Sequence, residues 1–202
     1  MEHAAPATQH QTTTGLDNRK LMMWAFLGSD TLFFGALIAT YLLYRGESIT
    51  GPYPEEVFNI LYTSVSAFVL LMSSLTMVLA LSAIQRGDLR GLKIWLLATA
   101  LLGTIFVGGQ YFEFTFFWHE GLTLTSNLFG TTLYVLTGFH GLHVTVGIII
   151  LLSFFVMALR GKLKPEQHLN IELAGLYWHF VDVVWIVIFT VVYLIEAPNI
   201  VT

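Results

Sequence analysis

Residues Asn127 to Leu159 read NLFGTTLYVLTGFHGLHVTVGIIILLSFFVMAL, without a single Asp, Glu, Lys or Arg, and His140 and His143 stand in the middle of the run. A stretch this apolar belongs in lipid, because about 20 apolar residues already span the hydrocarbon core of a bilayer. Histidines at i and i+3 share one face of a helix. An ionisable pair at that depth is costly unless it faces protein or water. The polar residues that lipid should have excluded are therefore the informative ones, and the rest of the chain says where they point.

Apolar residues make up 55% of the 202 and charged residues 11%, with a mean hydropathy of +0.72; soluble domains carry about 25% charged residues. The composition is that of an integral membrane protein with one membrane domain. A formal net charge of -4 with no basic patch excludes nucleic acid as a partner. The absence of cysteine excludes disulfides, thiolate metal ligands and a Cys nucleophile. Residues 1–20 are expected to be a disordered cytoplasmic tail, rich in Thr, Gln and Ala and lacking the apolar core of a signal peptide. His3 and His10 fall in it and read as solvated side chains.

Apolar runs bounded by charge or turn residues predict an all-α bundle of five membrane spans, Leu21–Tyr44, Val57–Ile84, Leu92–Trp118, Leu128–Leu159 and Ile171–Ala197, followed by a short tail at 198–202. Gly51-Pro52-Tyr53-Pro54 precedes the second span, with Glu55 and Glu56 in its expected first turn, where the helix dipole favours anions. Arg86-Gly87-Asp88 ends it, and Lys164-Pro165 separates the last two. Short connections imply that sequential helices pack antiparallel. Arg19 and Lys20, then Arg86, Arg90 and Lys93, then Arg160, Lys162 and Lys164 all fall on one side of this topology, and Arg45 alone falls on the other. The positive-inside rule places the N-terminus in the cytoplasm and the C-terminus outside.

Within the spans lie Asp30, Glu113, His140, His143, His179 and Asp182, with Glu172 and Glu196 near the ends of the fifth. At a rise of about 1.5 Å per residue, Asp30 lies roughly 15 Å from the basic end of its span, and His179 and Asp182 roughly 13 and 18 Å into theirs. His143 falls near the same depth, His140 one turn further out, and Glu113 near the outer interface of the third span. His179 and Asp182 are spaced for a carboxylate–imidazole bond along one helix, and His140 and His143 form the matching pair on the fourth span. Gly28 and Ser29 flank Asp30, while Gly138 and Gly141 flank the histidines, and small residues allow close helix approach in membranes. These features predict one buried polar seam where spans one, four and five meet.

Each feature also has a plainer reading. His140, His143 and His179 with Asp182 could hold a metal or haem, or serve as a hydrogen-bonded structural network. Asp30 could carry a proton, or hold helices together as a hydrogen-bonded acid. Ser66, Ser73 and Thr76 read as packing contacts of span two rather than a pathway. Trp24, Tyr41, Tyr44, Tyr53, Tyr62, Trp118 and Tyr193 suit interfacial belts, with Trp178 placed deeper. No phosphate-binding loop, nucleophile elbow, metalloprotease helix or Cys redox motif occurs, and no inverted repeat or pair of broken helices marks a transporter. The residues favour a non-catalytic subunit of a larger assembly.

Two segments carry a family resemblance. Thr137-Gly138-Phe139-His140-Gly141-Leu142-His143-Val144, followed by Tyr177-Trp178-His179-Phe180-Val181-Asp182-Val183-Val184-Trp185, resembles the signature of subunit III of haem–copper terminal oxidases. Gly28-Ser29-Asp30-Thr31-Leu32-Phe33-Phe34 is similar to the family's acidic third-helix segment, where cytochrome c oxidases often have Glu and quinol oxidases resemble this chain in having Asp. Ser73-Ser74-Leu75-Thr76, Gln110-Tyr111-Phe112-Glu113 and Phe129-Gly130-Thr131 follow in the family's order. The resemblance runs from about residue 20 to 197. With five spans, the chain resembles the short form lacking the first two helices of the seven-helix type, which wall a lipid-filled cleft.

The resemblance implies an accessory subunit of an aerobic respiratory oxidase, an aa3-type cytochrome c oxidase in the first place and a quinol oxidase as the alternative, in a bacterial plasma membrane. A haem- or metal-binding redox subunit is the competing class. It also implies that haems and copper reside in partner subunits and none in this chain. The implied partners are subunit I, the other oxidase subunits and bound phospholipid, and a place in a respiratory supercomplex is compatible with it. The expected role is to sustain proton uptake and protect the enzyme during dioxygen reduction. Carried over by position, Asp30, Glu113, His140, His143, Glu172, His179 and Asp182 form the intramembrane polar set. His140 and His143 are expected in a helix–helix or lipid-adjacent network, His179 and Asp182 as pins of the last helix, and Asp30 as a modulatory acid near subunit I.

Overall fold

The computed structural model describes residues 17–48, 51–53 and 58–195. The expectations for the first sixteen residues, for Glu55, Glu56 and Glu196, and for the tail at 198–202 lie outside them. Among the described residues all regular structure is helical: α1 Asn18–Tyr44, α2 Ile60–Gln85, α3 Leu89–His119, α4 Leu128–Leu159 and α5 His168–Ile188. A single 3-10 turn, Pro165–Gln167, leads into α5, which continues as a π-helical segment, Phe189–Leu194. Among the described residues, five helices are long and apolar enough to cross a membrane.

The boundaries follow local chemistry. Asp17 accepts a hydrogen bond from Arg19 N at 2.8 Å and Asp88 from Gly91 N at 2.9 Å, so each side chain takes up a backbone donor that the first turn leaves unpaired. Asn59 and Asn127 cap α2 and α4 in the same way, through Tyr62 N and Gly130 N. The cap at Asp17 starts α1 inside the tail expected through residue 20, and the cap at Asn59 starts α2 later than the expected Val57. Gly87 and Gly161, at φ +75° and +65°, turn the chain out of α2 and α4 with the paired backbone bonds of a Schellman motif.

Sequential packing holds for α2 with α3, α3 with α4 and α4 with α5, and α2 also packs on α5. The first helix departs from the expectation: it lies on α4 and α5 and makes no comparable contact with α2. Its long connection lets it cross the bundle, and its buried residues Leu27, Phe34 and Tyr41 repeat every seven positions as one narrow stripe. Leu32 and Leu43 on its other faces are 77% and 69% exposed, as suits a helix solvated by lipid.

Trp178 is the deep residue of the core, as expected, and two glycines hold it there. A Cβ built on Gly103 would lie 2.5 Å from its Cη2, and one on Gly147 would lie 2.8 Å from Cε3 and Cζ3. Gly28 and Gly138 meet nothing within 4 Å, so they are not the close-approach positions the sequence suggested; Gly141 is, against the Gln110 side chain. Tyr41 and Tyr193 also correct the expected aromatic belt, for both are fully buried while Trp24, Tyr62 and Trp118 are exposed.

Candidate membrane-embedded polar sites

The structure divides the expected single seam into separate junctions. At the first, between α1 and α4, Asp30 Oδ2 lies 3.4 Å from His143 Nε2, and both side chains are largely shielded. His143 Nδ1 stands 2.7 Å from the Phe139 carbonyl. A carbonyl only accepts, so Nδ1 carries a proton and Nε2 is left to face the acid. One further proton between Nε2 and Oδ2 makes the contact attractive, whether written as imidazolium–carboxylate or imidazole–carboxylic acid. Without it, two lone pairs face each other. With it, the pair is neutral overall, which suits its surroundings in lipid. Phe34 packs edge-on against the imidazole with centroids 5.0 Å apart, and Tyr177 of α5 donates to the His143 carbonyl at 2.9 Å, tying a third helix to the junction.

His140 does not join this pair. Positions i and i+3 are about 60° apart around a helix, and at a three-helix junction that rotation selects a different neighbour. His140 is fully buried, its Nε2 donates to the Val181 carbonyl on α5 at 3.1 Å, and its ring lies 4.9 Å from Trp185 and 5.8 Å from Phe106. Its Nδ1 has no hydrogen-bond partner among the described residues.

The third junction joins α2 to α5. Instead of bonding directly along their helix, His179 and Asp182 meet through Ser74: His179 Nδ1 lies 3.1 Å from Ser74 Oγ, which lies 2.6 Å from Asp182 Oδ2. Imidazole N–H to hydroxyl to carboxylate is the donor order that satisfies all three atoms. One residue earlier on each helix, Trp178 Nε1 donates to Ser73 Oγ at 2.9 Å. The packing role expected for Ser73 and Thr76 is seen in this bond and in the 2.8 Å contact of Thr76 with Thr99. Ser74 stood in the family segment Ser73-Ser74-Leu75-Thr76 but not among the expected site residues, because one serine in a helix rich in them carries no distinguishing signal.

Two members of the predicted set stand apart. Glu172 is an interfacial residue, 2.6 Å from Lys20 Nζ across α5 and α1. Glu113 is buried between α3 and α2, with Thr63 Oγ1 2.7 Å from its Oε1. The three intramembrane histidines thus face three different partners. Among the described residues no three His, Asp or Glu side chains stand close enough to hold a metal ion.

An apolar groove of about 460 Å³ lies between α1, α4 and α5. Phe26, Val146, Ile150, Phe154 and Leu173 wall it, His143 and Tyr177 close its mid-membrane end, and Asn170 marks its basic end. Arg19 Nη1 donates to Asn170 Oδ1 at 3.3 Å at that mouth. From His143 to Phe154 the groove follows α4 for roughly 16 Å, about half of a ~30 Å hydrocarbon core.

Comparison with known proteins agrees with this architecture. The profile of the family described as cytochrome c oxidase subunit III matches residues 4–197. Quinol oxidase subunit 3 of Bacillus subtilis (strain 168) is 40% identical over 200 residues, covering 96% of this chain and 97% of that protein. Cytochrome c oxidase subunit 3 of Bacillus sp. (strain PS3) is 37% identical over 188 residues, covering 93% and 91%. A probable cytochrome c oxidase subunit 3 of Mycobacterium leprae (strain TN) is 38% identical over 172 residues, covering 85% of each. With matches that span nearly the whole chain and a five-helix membrane fold to carry them, this chain belongs to the cytochrome c oxidase subunit III family.

Proposed function

We propose that the chain is an accessory subunit of an aerobic terminal oxidase, packing against the catalytic subunit I that holds haems and copper, with its basic end in the cytoplasm of a bacterial cell. Its contribution to dioxygen reduction is indirect: it holds phospholipid and keeps protonatable groups poised beside the catalytic subunit. The observation that carries this reading is the 3.4 Å contact of Asp30 with His143 at the head of the apolar groove. The groove has the length of one leaflet's acyl region, and Arg19 at its mouth suits a phosphate. A lipid chain seated there would end at the Asp30–His143 pair and keep bulk water from it.

Relatives matched over more than nine-tenths of their length carry both donor names, so the accessory role is proposed for either donor. Turnover of the purified complex with each reduced donor distinguishes the two. The haem- or metal-binding alternative predicts a Soret band or stoichiometric metal in the isolated chain, and either finding would overturn the accessory role.

Asp30→Asn tests the site itself. The amide can donate to Nε2 and preserve the contact, while its proton does not exchange roles with the imidazole. Assembly and thermal stability of the oxidase should stay within about 1 kcal/mol of wild type, on the scale of membrane side-chain hydrogen bonds. Proton uptake, or the rate of inactivation during turnover, should change. Reduced detergent stability with unchanged turnover per intact complex would make Asp30 a packing residue only.

A further inference from the structure

A second cavity, of about 360 Å³, opens at the other end of the bundle between α2 and α3, lined by Asn59, Tyr62, Phe112, Glu113, Phe116 and Phe117. The Glu113 side chain is 8% exposed, and Thr63 Oγ1 reaches its Oε1 at 2.7 Å. All nine Lys and Arg residues lie among the described residues, and none forms an ion pair with it. A carboxyl group has therefore been placed in an aromatic pocket with the hydroxyls of Thr63 and Tyr193 beside it and, among the described residues, no cation paired with it.

Depth supplies the second observation. With 31 residues, α3 is roughly 46 Å long and overshoots a ~30 Å hydrocarbon core by about 8 Å at each end if centred. Glu113 lies six residues before the last helical residue, His119, or roughly 9 Å from that end. It sits at the boundary between acyl chains and headgroups. Tyr62 and Phe116, half-exposed at the pocket rim, fit the same boundary.

We propose that this cavity binds the primary ammonium of an ethanolamine-type phospholipid headgroup from the leaflet opposite the basic end. The Glu113 carboxylate supplies a charge-assisted acceptor, the faces of Tyr62 and Phe116 supply cation–π attraction, and the exposed Phe112 lies where the acyl chains descend. Thr63 has one hydroxyl proton within reach of both Glu113 and the Asn59 carbonyl, 3.1 Å away, and donates it to the carboxylate when the ammonium is bound.

The test uses the intact oxidase complex in nanodiscs, presented with phosphatidylethanolamine or its N-acetyl derivative of matched chains, and counts retained lipids by native mass spectrometry. Wild type should keep one more phosphatidylethanolamine than N-acetyl lipid per complex, Glu113→Gln should abolish that difference, and phosphatidylglycerol retention should not move. Equal retention of the two lipids by wild type overturns the proposal without needing any variant to fold. So does a preference that survives in Glu113→Gln, or one erased by low millimolar ethylammonium chloride, which would make the ligand a soluble amine. Release of a neighbouring subunit from Glu113→Gln, with no amine preference in wild type, would assign the pocket to a partner's cationic side chain and also overturn it.

Discussion

Gly147→Ala tests the packing that positions α5. A Cβ at 147 would stand 2.8 Å from Cε3 and Cζ3 of Trp178, whereas carbon atoms pack at about 3.5 Å or more. The indole must then move by roughly 0.7 Å. It has nowhere to go: it is 1% exposed, its Nε1 is held by Ser73 at 2.9 Å, and its far edge abuts Gly103. Overpacking of this kind costs about 1–3 kcal/mol, and loss of the Ser73 bond would add about 0.6–1.7 kcal/mol. Alanine also favours the helix over glycine by about 1 kcal/mol, which obscures the clash in a single variant. Gly138→Ala on the same helix removes the ambiguity, since nothing lies within 4 Å of its Cβ and it gains the helix preference alone. The midpoint of unfolding of the oxidase complex in mixed micelles, followed by release of this chain, should separate the two variants by the clash energy, with Gly147→Ala the less stable. Equal midpoints would refute the account of Trp178 as a residue clamped between two helices.

Ser74→Ala should destabilise the chain by about 1–3 kcal/mol, because it strands both His179 Nδ1 and Asp182 Oδ2 in a shielded site; the same unfolding midpoint measures it, and a neutral result would mean the two groups find each other once the serine is gone. At the basic end, hydrogen bonds from Arg19 hold the Asp17 carboxyl below its ordinary value of 3.8. A carboxyl depressed in the folded state stabilises it above the unfolded value, and the contribution is lost as pH falls through the folded one. The protection of the first turn of α1 against hydrogen exchange, taken relative to the intrinsic rate at each pH, should therefore fall on acidification below that range, and Asp17→Ala should lack that protection at every pH; a first turn equally protected in the variant would remove Asp17 as its cap.

Most of the fold was legible because lipid leaves few options: long apolar runs ended by Gly87, Pro165 and their neighbours can only be spans. The rotation of each helix about its axis was not legible. It decides that Gly103 and Gly147 meet Trp178 while Gly28 and Gly138 meet open space. It also sends His140 to Val181 and His143 to Asp30 although the two histidines share a face. Depth estimates brought Asp30 and His143 to one level, and they do meet. Ser74 stood in the family segment 73–76 but was given no contact of its own, since a hydroxyl on a helix ordinarily bonds its own backbone, as Thr104 and Thr145 do here. The place of α1 beside α4 rather than α2 depends on a connection long enough to allow either.

The distribution of the polar contacts has its own logic. Lipid offers no hydrophobic drive for one apolar helix to choose another, so side-chain bonds and close packing decide the pairing. Asp30–His143 joins α1 to α4, His140–Val181 joins α4 to α5, Ser74 joins α2 to α5 and Thr63–Glu113 joins α2 to α3. The helices are not equally dependent on them. α2 and α3 share the most extensive packing in the bundle, whereas α1 rests on the stripe of Leu27, Phe34 and Tyr41 and on three polar contacts, the Asp30–His143 clasp, the Lys20–Glu172 clasp and the Arg19–Asn170 bond. The second clasp lies at the interface, where water and salt weaken it. The first lies in the shielded interior, where water and salt weaken it less. Because α1 is the most lightly packed helix, its seating depends on these few polar contacts more than that of α2 or α3 depends on theirs.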